Sequence, residues 1–86
     1  MAYYVYILVS NVSGNLYKGF TNDLSRRLKE HNAGYNKSTK SGRPWELIYS
    51  EKCNNRLEAR EREKFFKSGV GREFIKINIW PRSITE

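Results

Sequence analysis

The chain holds a single cysteine, Cys53, so it cannot close an internal disulfide or build a multi-thiolate zinc site. A lone thiol suits a reducing compartment, and a cytoplasmic protein is expected. No histidine stands close to Cys53 in sequence, so it reads as a packed residue rather than a nucleophile. There is no run of 18 apolar residues, the length a membrane-spanning helix needs. The N-terminus opens directly into strand-like sequence, without the charged-then-apolar pattern of a signal segment. Acidic residues are also scarce. Nine Asp and Glu face sixteen Lys and Arg, a net charge of +7. On so small a body that excess attracts polyanions, of which nucleic acid is the commonest; no membrane partner is expected.

What remains is one domain's worth of chain. Its 86 residues leave no room for two cores, so residues 1–86 are read as a single domain with its core at about 3–79 and a short tail. A chain of this length buries only about 60% of its unfolded surface, which predicts a thin core and no deep pocket.

Tyr3–Ser10 is rich in aromatic and β-branched residues and reads as a strand. Alternation puts Tyr4, Tyr6 and Leu8 on one face and Val5, Ile7 and Val9 on the other; both are apolar, which predicts a central strand. Asn11–Asn15 is turn-forming sequence, and 16–21 reads as the returning strand of a hairpin, with Tyr17, Gly19 and Thr21 on one face. A glycine inside a strand suggests that something approaches the backbone closely at Gly19. Asn22 and Asp23 suit a helix start, and Gly34 an end. A polar, basic loop follows over 35–43. Trp45–Glu51 reads as a third strand with Trp45, Leu47 and Tyr49 on one face. A second helix is predicted over about 56–68, ended by Gly69, and a shorter one over about 72–80, stopped by Pro81. The order β-β-α-β-α-α predicts an α+β fold, a small antiparallel sheet flanked by helices.

Several residues could carry chemistry. Arg27 and His31, four apart, project from one side of the first helix and flank its Leu24/Leu28 stripe. A cation beside an imidazole makes sense if both face an anion such as a phosphate; the ordinary alternative is a solvated arginine and a histidine near a helix C-terminus. Glu63 falls beside Ala59, Phe66 and Val70 on a helical wheel, an apolar setting in which a carboxylate should be protonated, paired with Arg60 or Lys67, or bound to a metal. One hard carboxylate with waters and phosphate oxygens is a common way to hold Mg²⁺. Tyr6 and Tyr17 lie on neighbouring strands, where phenols usually pack with the hydroxyl at the rim; opposite an Arg/His helix, they could position or deprotonate a water. Lys18, Lys37, Lys40, Arg43, Arg26 and Lys29 form the expected footprint on a phosphate backbone.

Tyr4-Val5-Tyr6, Tyr17-Lys18-Gly19, the stretch from Thr21 to Gly34, Arg43-Pro44-Trp45, Glu58–Lys64 and Lys67-Ser68-Gly69 stand in the order and at the separations of a known family. The sequence resembles the GIY-YIG nuclease superfamily, in particular its small single-domain bacterial branch. The resemblance implies a three-stranded antiparallel sheet flanked by helices and hydrolysis of phosphodiester bonds, DNA ahead of RNA, assisted by one divalent cation, Mg²⁺ or Mn²⁺. It also implies roles: Tyr6 and Tyr17 positioning the attacking water, Arg27 stabilising charge on the phosphate, His31 moving a proton or holding the phosphate, and Glu63 carrying the metal. Tyr4 and Val5 depart from the first signature triplet and Lys18 from the second. Asn78 stands at a plausible distance for the asparagine that the family often carries downstream of its metal-binding glutamate. The expectation is a metal-dependent endonuclease, possible roles being repair or nucleic-acid turnover; the alternative is a nucleic-acid-binding module that keeps the fold without effective catalysis.

Overall fold

The computed structural model describes residues 2–79. Strand β1 (Tyr3–Ser10) lies between β2 (Leu16–Thr21) and β3 (Trp45–Cys53), antiparallel to both. The apolar character of both faces of β1 has its cause here: Val5 to Ser10 are all buried, because helices cover the sheet on each side. The order β-β-α-β-α-α matches the sequence reading.

Helix α1 (Leu24–Ala33) covers one face. Asp23 caps its start by accepting from the Arg26 amide, and Gly34 ends it in the left-handed region at φ 86°. Leu24 and Leu28 pack there with Tyr17 against Tyr6, Leu8 and Trp45. Helix α2 (Arg56–Lys67), capped by Asn55, covers the other face with α3 (Gly69–Phe74) and a π-helical turn (Ile75–Ile79). Val5, Ile7, Cys53, Ala59, Phe66 and Ile75 form the larger apolar core on that side. Cys53 is packed in it, and burial pushes its thiol up from the ordinary value. Arg62 ties α2 to β3: it donates to both Glu51 carboxylate oxygens at 2.6 and 3.3 Å while lying over the Phe65 and Phe66 rings.

Three expectations need correction. Trp45 and Leu47 face α1, but Tyr49 packs on the α2 side. The register explains it: Leu47 pairs with Leu8 and Tyr49 with Ile7, so Ile48 is an extra residue that reverses the alternation beyond it, as a β-bulge does. Gly69 does not end α2. Ser68, in extended backbone, both closes α2 and caps α3, its hydroxyl accepting from the Gly71 amide at 3.1 Å, and Gly69 opens the next helix. The helical wheel that joined Val70 to Glu63 therefore breaks at Ser68, and Val70 is exposed. Trp80 and Pro81, expected to close the last helix, lie outside the described residues.

Candidate functional site

Strand alternation directs Tyr6 and Tyr17 to the α1 face, and the two rings lie 6.3 Å apart. Tyr6 sits opposite Gly19 in the β1–β2 register. A Cβ at position 19 would stand 2.7 Å from the Tyr6 hydroxyl and 3.2 Å from the Tyr17 ring. The close approach expected at Gly19 is thus the Tyr6 phenol, laid over the neighbouring strand because no side chain blocks it.

That placement carries the hydroxyl to α1. Tyr6 Oη lies 3.0 Å from His31 Nε2, and His31 Nδ1 lies 2.8 Å from Thr39 Oγ1. The Thr39 hydroxyl donates onward to the Asn36 carbonyl at 3.3 Å. Having given its proton to a carbonyl, Thr39 accepts from Nδ1–H, which leaves Nε2 as the acceptor of the Tyr6 proton. A four-residue chain of hydrogen bonds follows, Tyr6 to His31 to Thr39 to Asn36. Tyr17 is stacked edge-on against His31 at 4.8 Å.

His31 does not flank the Leu24/Leu28 stripe as the spacing implied. It is fully buried. Burial and the Arg27 charge hold it below the ordinary imidazole range, against a smaller opposing effect of Glu30, so it is neutral at pH 7 and not a cation serving the helix end. Tyr6 is neutral as well. Burial pushes its phenol up to about 12; Arg27 opposes this, and Tyr17 and Glu63 add to it.

The charged members are engaged with each other. Arg27 is part-buried rather than fully solvated, and its Nη1 donates to Glu30 at 2.9 Å. Burial opposes its charge, while the hydrogen bonds to Glu30 and Tyr6 outweigh that and hold its pKa up. Glu63 lies on α2, and its charge adds to the upward push on the Tyr6 phenol. Its side chain is 19% exposed and pairs with Lys67 at 3.2 Å, one of the two partners that helical spacing offered. Among the described residues no group of three or more His, Cys, Asp or Glu could hold a metal ion. The donor chemistry of Glu63 still fits a Mg²⁺-type ion held by one carboxylate with waters and substrate oxygens. Asn78 is exposed and donates to the Phe74 carbonyl at 3.2 Å.

An open cleft of about 280 Å³ lies beside Tyr17, walled by Thr39, Trp45 and the turn and loop around Ser13 and Ser41. The basic loop that rims it is partly self-engaged. Arg43 Nε donates to the Lys40 carbonyl at 2.9 Å. Arg26, on α1 rather than on the loop, donates to Asn22 and pairs with Glu30 at 3.7 Å. Lys37 and Lys40 are exposed. Two residues of this region escaped the sequence reading. Thr39 is buried as the partner of His31, and Asn32 binds the Trp45 backbone twice, accepting at 2.6 Å and donating at 3.1 Å. The first contact ties α1 into the 35–43 loop and the second spans it, and no periodicity announces either.

Phenols on adjacent strands, in contact with a helix-borne histidine over a three-stranded antiparallel sheet, make this an α+β domain with one polar cluster on its α1 face. The chain belongs to the GIY-YIG family: the model of the GIY-YIG catalytic domain matches residues 2–77. It is 43% identical to the UPF0213 protein of Clostridium perfringens over 84 residues, 96% of this chain and 88% of that one. It is also 43% identical over 68 residues to a UPF0213 protein of Desulfotalea psychrophila, a match that takes in 77% of this chain and 61% of that protein's length. The solution NMR structure of a UPF0213 protein from Bacillus halodurans is similar throughout, with a TM-score of 0.57 and 31% identity over 99% of this chain and 94% of that one. No helix among the described residues is long and apolar enough to cross a membrane.

Proposed function

We propose that this chain is a nucleic-acid-binding GIY-YIG domain that seats a phosphodiester backbone in the cleft beside Tyr17, with DNA ahead of RNA. The observation that carries this reading is the contrast in charge. Arg27 is paired with Glu30 and Glu63 with Lys67, while Lys37 and Lys40 stand exposed on the loop that borders the cleft of a chain with net charge +7. Such cations grip backbone phosphates without reading sequence.

A second reading, a metal-dependent endonuclease, is favoured by the hydrogen-bonded chain from Tyr6 to Asn36. A divalent cation, Mg²⁺ or Mn²⁺, would be held by Glu63 and would supply electrophilic stabilisation of charge on the phosphate. The protein's own groups would do the rest. Tyr6, whose proton already points at His31 Nε2, passes that proton on as it takes one from a water. His31 receives it, and Thr39 holds the ring through Nδ1–H. Tyr17 would orient the water, whose oxygen bonds to phosphorus as the P–O bond to the leaving sugar oxygen breaks; that oxygen takes its proton from solvent water, and Arg27 turns from Glu30 to the phosphate oxygens.

A metal titration with labelled single-stranded, duplex and branched DNA, comparing wild type with Glu63→Gln, separates the readings. Salt-sensitive binding by both proteins with intact substrate supports the binding domain. Cutting that needs the metal and disappears in Glu63→Gln supports the endonuclease. Failure of the wild type to bind any of these at low salt sinks both.

A further inference from the structure

Lys18 stands in the middle of the second signature triplet, on the strand face opposite Tyr17 and Gly19, where a covered sheet should carry an apolar side chain. Its neighbours Leu16 and Phe20 do pack into the larger core. Lys18 instead lines an open groove of about 460 Å³ with Gly14, Asn15, Leu16, Arg72, Ile75 and Lys76. Arg72 comes from α3 and Lys76 from the π-helical turn, so three separate elements direct cations into one concavity. Among the described residues, none of the three is in an ion pair. Arg72 is held in place by donating to the Lys67 carbonyl at 2.9 Å. Burial, then the Arg72 and Lys67 charges, push the Lys18 ammonium below its ordinary pKa. Like charges gathered and partly desolvated without a carboxylate are costly in the free protein, and an anion relieves that cost.

The groove also has a neighbour. Asn15 and Leu16 line both it and the cleft beside Tyr17. Because β2 is an edge strand, a polyanion leaving Tyr17 can turn around that edge and meet Lys18 on the other side. A free phosphate would need only one such pocket; two cavities joined at a sheet edge suit a chain of phosphates.

We propose that Lys18, Arg72 and Lys76 form a second backbone-phosphate groove that holds the same nucleic-acid strand after it passes the cleft at Tyr17. The proposal rests on the nucleic-acid reading above and extends it to the opposite face of the sheet.

The test is fluorescence anisotropy of a labelled DNA duplex in chelator, so that nothing is cut, with salt varied from about 50 to 200 mM. Wild type is compared with the Lys18→Gln/Arg72→Gln/Lys76→Gln variant and with a Lys52→Gln/Arg60→Gln/Lys64→Gln control, which removes as many exposed cations elsewhere. Thermal melting checks that both variants fold; if the triple variant melts early, Arg72→Gln/Lys76→Gln, which spares the sheet, replaces it. The groove variant should weaken binding at low salt and reduce the slope of log K against log salt by about two to three units, near 0.9 for each phosphate no longer gripped. The control should change the slope by less than about one unit. Equal weakening in both variants, or an unchanged slope in the groove variant, overturns the proposal and leaves the cleft reading standing. NMR shifts at Lys18 and Arg72 on adding inorganic phosphate, with an unchanged DNA slope, would assign the groove to a free anion and likewise overturn it. Absence of wild-type binding would remove the nucleic-acid reading itself.

Discussion

At the scale of single residues, the buried histidine is the centre of the site, and it sets a pH dependence. His31 is held below the ordinary imidazole pKa of about 6.5, first by burial and then by Arg27. The unfolded chain therefore takes up the proton at a higher pH than the folded one. Stability is fully present above about pH 6.5 and is lost as pH falls toward the folded value, because protonation requires a charge where Tyr6 and Thr39 have made a neutral ring fit. Wild type should show a drop in melting temperature between about pH 7.5 and 5.5 that is largely absent in His31→Gln. Parallel melting curves for the two proteins would show that His31 does not carry the effect. Spacing and strand alternation single out Tyr6, Tyr17, Arg27, His31 and Glu63 as candidates and offer Lys67 as a partner for Glu63; their roles come only from the resemblance. The partners of the others leave no such trace. Glu30, Thr39 and Asn36 are found only when the chain closes, since a residue three along a helix or eight across a loop satisfies a polar atom without leaving a periodic trace.

At the scale of elements, helices and strands were read almost to their ends because each carries its own cap or alternation: Asp23 and Asn55 at starts, Gly34 at an end. The misread points are those where a local irregularity outweighs periodicity. Ile48 reverses the face of β3, and Ser68, not Gly69, parts α2 from α3, which starts at Gly69 rather than about residue 72. That second break is secured by sterics. A Cβ on Gly71 would collide with the Phe65 carbonyl and the Phe66 backbone, whereas at Gly69 nothing lies within 4 Å. The two glycines, two apart at the start of one short helix, should respond oppositely to alanine. Gly71→Ala must push α3 off α2 and should cost about 1–3 kcal/mol or more. Gly69→Ala only restricts the unfolded chain and should be neutral or stabilise by about 0.4–1 kcal/mol. Chemical denaturation of both variants gives the answer, and equal effects would show that the α2–α3 junction is not tightly packed.

At the scale of the whole molecule, the two faces of the sheet are held by different physics. The α2 face is closed by apolar contact: Phe66, Ile75, Ala59 and Cys53 against Val5 and Ile7, with Arg62 stacked and paired at its margin. The α1 face joins a smaller apolar cluster, Tyr6, Leu8 and Trp45 with Leu24 and Leu28, to a set of hydrogen bonds. Of the α1 residues only His31 is fully buried, and it, Thr39, Ser10 and Asn32 join helix, loop and strand through polar contacts. Each such bond contributes a net ~1 kcal/mol, while a buried large side chain contributes ~1.5–3 kcal/mol and does not depend on fine geometry. The face that carries Tyr6, Tyr17 and His31 is therefore the one that opens more cheaply, which suits a surface where Arg27 would exchange Glu30 for a ligand. Native-state hydrogen exchange should show α1 amides opening at a lower free energy than those of β1 and α2, by more than about 1 kcal/mol. Nucleic acid at low salt should raise α1 protection toward that of the rest. Should α1 exchange as slowly as β1 in the free protein, the polar face would be as rigid as the apolar one, and rearrangement of its ion pairs on binding would have to come from side chains alone.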